Sequence, residues 1–124
     1  MKEQTGGKKL TKAAQEYIEN HSREKFSLDQ IAGALYINGS YLARTFKQST
    51  GMTLLHYHHL VRCGEARDLL LHTDKSVSEI GSITGFATSS HFSHIFRKMM
   101  GCTPSEYRRL WLTNTGEKKP ERKA

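Results

Sequence analysis

Apolar positions along the chain recur with helical spacing, and the pattern occurs twice. The stretch SLDQIAGALYINGSYLARTFKQSTGMT beginning at Ser27 matches SVSEIGSITGFATSSHFSHIFRKMMGCT beginning at Ser76. The offset is 49 residues as far as Ile37 and Phe86 and 50 from Asn38 and Thr88 onward, with Ala87 as the insertion. Leu28 pairs with Val77, Ile31 with Ile80, Leu42 with Phe92, Phe46 with Phe96, Lys47 with Arg97 and Gly51 with Gly101. Two copies are too few for a solenoid. Each copy opens on a capping box, Ser27-x-x-Gln30 and Ser76-x-x-Glu79, which predicts a helix start because the two side chains satisfy free amides of a first turn. The short helix that follows is broken at Ile37-Asn38-Gly39 in one copy and at Gly85-Phe86-Ala87 in the other. Asn38 and Thr88 then suit the N-cap of a second helix that ends near Gly51 and Gly101. Two short helices about a tight glycine-containing turn make a helix-turn-helix.

At about 100° per residue the second helices separate into two faces. Leu42, Thr45, Phe46 and Ser49 fall on one side, as do Phe92, Ile95, Phe96 and Met99, and these are the predicted core sides. The opposite faces carry Ser40, Ala43, Arg44 and Lys47 in the first copy and Ser90, Ser93, His94 and Arg97 in the second. Small, hydrogen-bonding and cationic residues without acids suit close approach to base edges and phosphates in a major groove. Between the copies, residues 53–73 read as one long helix on the spacing of Leu54, Tyr57, Val61, Ala66, Leu69 and Leu70. Twenty residues at about 1.5 Å each span about 30 Å, close to the roughly 34 Å between successive major grooves on one face of a duplex. Ala13, Ala14, Tyr17 and Ile18 predict an opening helix over residues 10–21, and Thr103-Pro104-Ser105-Glu106 starts a closing one. The expected architecture is all-α: two helix-turn-helix subdomains joined by a long connector helix, about seven helices in all. The first unit covers about 10–52, the connector about 53–72 and the second unit about 76–112, with a flexible segment over 1–9 and a disordered basic tail over 113–124.

Charge sharpens this picture by its distribution rather than its total. The 124 residues, enough for one domain or two very small ones, carry a net charge of +7. The first nine residues and the tail from Thr113 hold +4 of it. More telling, no acid lies between residues 30 and 64 or between 80 and 105, while Arg44, Lys47, Arg62, Arg97 and Lys98 fall inside those windows. Two surfaces are thereby prepared for phosphate. Cys63 and Cys102 lack zinc-site spacing and are too few for a disulfide framework, which points to a reducing compartment. With no signal peptide and no apolar run of membrane-spanning length, a soluble cytoplasmic protein is expected. His56, His58 and His59 cluster, and His91 and His94 are three apart, but no HExxH or cysteine pair accompanies them, so no metal is expected. Nor is an enzyme: no G-x-S-x-G elbow or acid and base partner accompanies the serines.

These residues together resemble the DNA-binding domain of AraC/XylS-type transcriptional regulators, over roughly residues 10–109. The second unit carries most of the likeness, in Glu79-Ile80, Gly85-Phe86, Ser90-His91-Phe92, Phe96-Arg97-Lys98, Gly101 and Thr103-Pro104-Ser105-x-Tyr107-Arg108. The first adds Ser27-Leu28, Ile31-Ala32, Tyr41-Leu42, Phe46-Lys47, Gly51, Tyr57, Arg62, Ala66 and Leu69-Leu70. The resemblance implies sequence-specific binding of double-stranded DNA, by a bacterial regulator, at an asymmetric site. It places Gly39, Ser40, Ala43, Arg44 and Lys47, and Ser89, Ser90, Ser93, His94 and Arg97, toward bases and phosphates. Arg44 is the candidate guanine reader, and His94 is a weaker one at the equivalent place. RNA polymerase is an implied partner, and activation an implied outcome. No effector pocket or cofactor is expected in this length, so the chain is either a short stand-alone regulator or the C-terminal piece of a longer one. Gly81, where alanine is usual, and His58, Cys63 and Gly64 in the connector depart from the family pattern. Two other readings remain open: a protein-interaction module without DNA readout, and a non-specific packaging protein acting through its basic ends.

Overall fold

A computed structural model of the chain describes the backbone of residues 2–115 and the side chains of residues 7–111. Among them run seven helices: α1 (Lys2–Asn20), α2 (Leu28–Ala34), α3 (Gly39–Thr50), α4 (Leu54–His72), α5 (Val77–Ile83), α6 (Ser89–Met100) and α7 (Pro104–Thr115). Their starts are set by side chains that satisfy first-turn amides. Ser27 accepts from the Gln30 N–H at 3.1 Å, Asn38 from Tyr41 at 3.0 Å and Thr88 from His91 at 3.0 Å. At α5 the exchange is reciprocal: the Glu79 N–H donates to Ser76 Oγ, and the Ser76 N–H donates to the Glu79 carboxylate. Thr103 and Glu106 repeat that capping box at the start of α7. The ends of α3 and α6 are closed by Gly51 (φ 83°) and Gly101 (φ 91°), whose left-handed backbone turns the amide back onto the Lys47 and Arg97 carbonyls.

Two boundaries differ from the sequence expectation. The structure places residues 2–9, expected as a flexible segment, in the first turns of α1. Gly7, Thr11, Ala14 and Ile18 fall at the i, i+4, i+7, i+11 spacing of one face of that helix, with Thr11, Ala14 and Ile18 buried. Gly7 extends that face along α3, where a Cβ built on it would lie 3.8 Å from Thr45 Cγ2. At the other end α7 runs to Thr115, three residues past the expected end of the second unit at 112, and the rest of the expected tail lies outside the described residues.

The chain divides between Val61 and Arg62 into two units, each with its own core. The first is built from Ala14, Ile18, Ile31, Ala32, Leu42, Phe46 and Leu54. The second is built from Cys63, Ala66, Leu70, Ile80, Phe86, Phe92, Ile95 and Phe96. The division falls inside α4, which supplies Leu54, Tyr57 and Val61 to the first core and Cys63, Ala66, Leu69 and Leu70 to the second. Each half of this helix follows its own core, so no single apolar stripe runs its length.

Several polar groups in and around the cores have defined partners. His58 is buried, and its Nε2 donates to the Ser22 carbonyl at 3.0 Å, with the ring 5.5 Å from Phe26. Tyr57 donates to the Glu19 carboxylate at 2.5 Å. Burial, together with that neighbouring carboxylate, pushes the phenol up to about 12. In the second unit Arg62 is buried with its guanidinium 5.1 Å from the Phe86 ring, and burial lowers its pKa. The Cys63 thiol is pushed up to about 11 by burial, which makes it an inert core residue. Arg108 closes the end of α4 by donating to the Leu70 and Thr73 carbonyls.

Gly81 is the tightest point of the second unit. A Cβ built on it would meet the Phe92 ring at 2.8 Å, so α5 and α6 approach here only because the side chain is missing. This accounts for glycine at a position where the family pattern has alanine.

Candidate nucleic-acid interface

The outward faces of α3 and α6 are produced by the same packing that builds the cores. Leu42 and Phe46 anchor α3, and Phe92, Ile95 and Phe96 anchor α6. The residues a third of a turn or more away are left to solvent. Ser40, Arg44 and Lys47 are exposed on α3, with Gly39 and Ala43 half-buried at its edge. On α6, Ser89, Ser90, His94 and Arg97 are exposed and Ser93 is half-buried. Each helix thus gathers its predicted residues on one accessible face. His91 is exposed too, but its ring meets Phe86 edge-on at 5.7 Å, which ties it to the scaffold side.

Electrostatics distinguish these two helices from α2, α5 and α7, although α4 too begins without an acid. Asp29, Glu79 and Glu106 occupy the first turns of α2, α5 and α7, whereas the first turns of α3 and α6 contain no acid. Acids in a first turn offset the positive end of a helix dipole. Leaving it uncompensated on α3 and α6 adds to the cations Lys47, Arg97 and Lys98 in their last turns. Glu79 and Glu106 are held below the usual carboxylate range by the backbone amides of Ser76 and Thr103 that donate to them, so both stay ionised and engaged in capping.

Three features were not singled out from the sequence. Tyr41 is exposed on α3, with the Arg44 guanidinium 5.7 Å from its ring centre, which limits the directions Arg44 can take. Ser49, assigned by face arithmetic to the core side, is exposed, because that flank of α3 borders an open groove beside the start of α1. Tyr36, in the turn before α3, is 95% exposed and has a left-handed backbone (φ 57°), where its repeat partner Gly85 has φ 101°. The repeat alignment, which pairs Tyr36 with Gly85, carried the signal for that last one.

Among the described residues no three His, Cys, Asp or Glu side chains come together as a metal site. No helix among them is long and apolar enough to cross a membrane.

Comparison with known proteins adds to this geometry. The sequence pattern of a helix-turn-helix domain family matches residues 31–110. The HTH-type transcriptional activator RhaS of Escherichia fergusonii is 40% identical over 92 residues, which are 74% of this chain and 33% of RhaS. The chain therefore spans about a third of the length of that relative. Among solved structures, the C-terminal domain of AraT, a response regulator from Geobacillus stearothermophilus, is 34% identical with a TM-score of 0.77, over 82% of this chain and 84% of that one. The DNA-binding domain of the global transcriptional factor AdpA, solved in complex with a target DNA, is 25% identical with a TM-score of 0.78, over 88% of this chain and 97% of that one.

Proposed function

The chain belongs to the AraC/XylS-type family of helix-turn-helix transcriptional regulator domains, and from that premise we propose that α3 and α6 are recognition helices reading successive major grooves of one asymmetric DNA site. Family and fold are those of a DNA-binding regulator rather than of an enzyme. The observation that carries the finer reading is the shared outward face: small, hydrogen-bonding and cationic on both helices, acid-free, and led by a first turn without acids.

Each side chain has a role in this reading. Gly39, Ser40 and Ala43, and Ser89, Ser90 and Ser93, are short enough to let the helix backbone approach base edges. Arg44 presents two parallel donors to the O6 and N7 acceptors of a guanine. His94 offers one ring nitrogen at the matching place, so the first unit supplies more of the specificity. Lys47 and Arg97, in the last turns, hold phosphates and set the register. Arg44 and His94 make the two reading surfaces unlike, which favours an asymmetric site over a palindrome. RNA polymerase contact, activation and a cytoplasmic location belong to the same proposal, as roles that family membership supports.

Selection from random duplex DNA at two salt concentrations tests this. Enrichment of one asymmetric motif with two half-sites about one helical turn apart is the expected result. Binding that enriches nothing and falls steeply with salt would leave only electrostatic attraction and sink the reading.

A further inference from the structure

We infer that the DNA interface of the first unit includes a third element, the start of α1, from which Lys8 holds a backbone phosphate of the strand bordering the groove read by α3. This deepens the proposed function and rests on α3 being a recognition helix. The observation is the open groove of about 620 Å³ between the two helices. Lys8 lines it from α1, and Tyr41, Arg44, Thr45 and Gln48 line it from α3. Positions 41, 44, 45 and 48 form a single flank of α3, immediately beside the outward face, and Arg44 belongs to both.

Two features make this groove suit a phosphodiester. It is lined by two cations from separate elements, a phenol, the hydroxyls of Thr45 and Ser49 and a carboxamide, and among the described residues by no acid. A guanidinium and an ammonium facing one space repel unless an anion lies between them. The wall on the α1 side is also fixed in place rather than loosely tethered. Thr11, Ala14 and Ile18 are buried, and Gly7 carries the same stripe to Thr45, which sets the position of Lys8 along α3. Gly7 adds no side chain of its own, so the groove stays open at that point. A chain of phosphates runs along the edge of any major groove whose bases a helix reads. An arginine at the border of the reading face therefore brings a phosphate toward its flank, where Lys8 stands.

The test uses the full chain and a duplex carrying the motif enriched by selection. Lys8→Gln removes the charge and keeps the helix propensity, and Lys8 is exposed, so folding is unaffected. Lys12→Gln, also exposed on α1 but outside the groove, is the matched control. Lys8→Gln is expected to reduce the slope of log affinity against log salt by about 0.9, the value of one phosphate contact, without changing the preferred motif. Ethylation interference should lose one sensitive phosphate beside the α3 half-site in that variant and none with Lys12→Gln. An unchanged slope for Lys8→Gln, or an equal fall for Lys12→Gln, overturns the inference. A wild-type chain that enriches no motif overturns the underlying reading instead, and the two failures are told apart by whether wild-type selection succeeds.

Discussion

Position 32 in the first unit is alanine and its repeat partner, position 81, is glycine, while on the facing helix Leu42 is matched by Phe92. The second unit gave up a methyl group on α5 and gained a ring on α6, and the 2.8 Å approach of Phe92 to a Cβ at position 81 shows that the two changes depend on each other. A similar exchange separates the turns: Tyr36 adopts a left-handed backbone that Gly85 adopts without strain. On the outward faces no volume has to be balanced. Arg44 is matched by His94 while Gln48 is matched by Lys98 one turn on, so the charge is moved along the helix rather than kept in place. Buried differences come in pairs because interiors are close-packed and volume must be balanced. Exposed differences are free of that constraint, and on the proposed reading they are where the two units diverge in the bases they recognise.

The core exchange is the strongest point at which to break this comparison. Gly81→Ala should destabilise the chain by about 1–3 kcal/mol through overpacking, measured by urea denaturation. Adding Phe92→Leu should recover most of that loss, whereas Ala32→Gly in the first unit should cost roughly 1 kcal/mol of helix propensity and about 0.8 kcal/mol for the buried methyl, with no overpacking to relieve. If Gly81→Ala is neutral, the close approach to Phe92 is not a packing constraint. On the reading faces, Arg44→Ala should remove about 1–3 kcal/mol of discrimination at one base pair, and His94→Ala should remove less. A uniform loss across all sequences for Arg44→Ala would reassign it to a phosphate.

Smaller effects sharpen the comparison of turns and caps. Gly85→Ala should cost about 1 kcal/mol because alanine is strained at positive φ, while Tyr36→Gly, which relieves strain, should not destabilise. Thermal melting of the two variants checks the contrast. Ser76→Ala should cost about 1 kcal/mol as the loss of an N-cap, while Glu79→Ala, which leaves the Ser76 amide without its carboxylate, should cost stability in a pH-dependent way. Because the folded-state pKa of Glu79 is lowered by the Ser76 amide, its contribution is fully present above the ordinary glutamate value of about 4.3 and disappears as pH falls through the lowered one. Gln30 at the matching place does not titrate, so Gln30→Ala should show a cost independent of pH. Equal pH profiles for Glu79→Ala and Gln30→Ala would contradict the Glu79 assignment.

Local signals in the chain were enough to find the repeat, the caps and the two-faced second helices. Ser27, Asn38, Ser76 and Thr88 act within three residues of themselves, and Leu42, Phe46, Phe92 and Phe96 announce a core side by spacing alone. Arg44, Lys47, His94 and Arg97 were legible by the same arithmetic, since what is not on the core side of an anchored helix faces out. Ser49 escaped it because α1 passes along that flank of α3 and leaves a groove there. The start of α1 was illegible for a related reason: residues 2–9 carry no apolar stripe, and the approach seen there, Gly7 beside Thr45 of α3, is to a partner distant in sequence.

What the amino-acid sequence determined by itself, then, is everything governed by contacts within a helical turn or two: where helices begin and end, which side of each is apolar, and that the unit occurs twice. Tertiary structure decided how the apolar residues of α4 are shared between two cores, why position 81 must be glycine, and which side chains of α1 and α3 border a common groove. Those outcomes depend on atoms brought together across tens of residues, and volume and charge at such meetings are properties of the packed chain rather than of any local stretch of it.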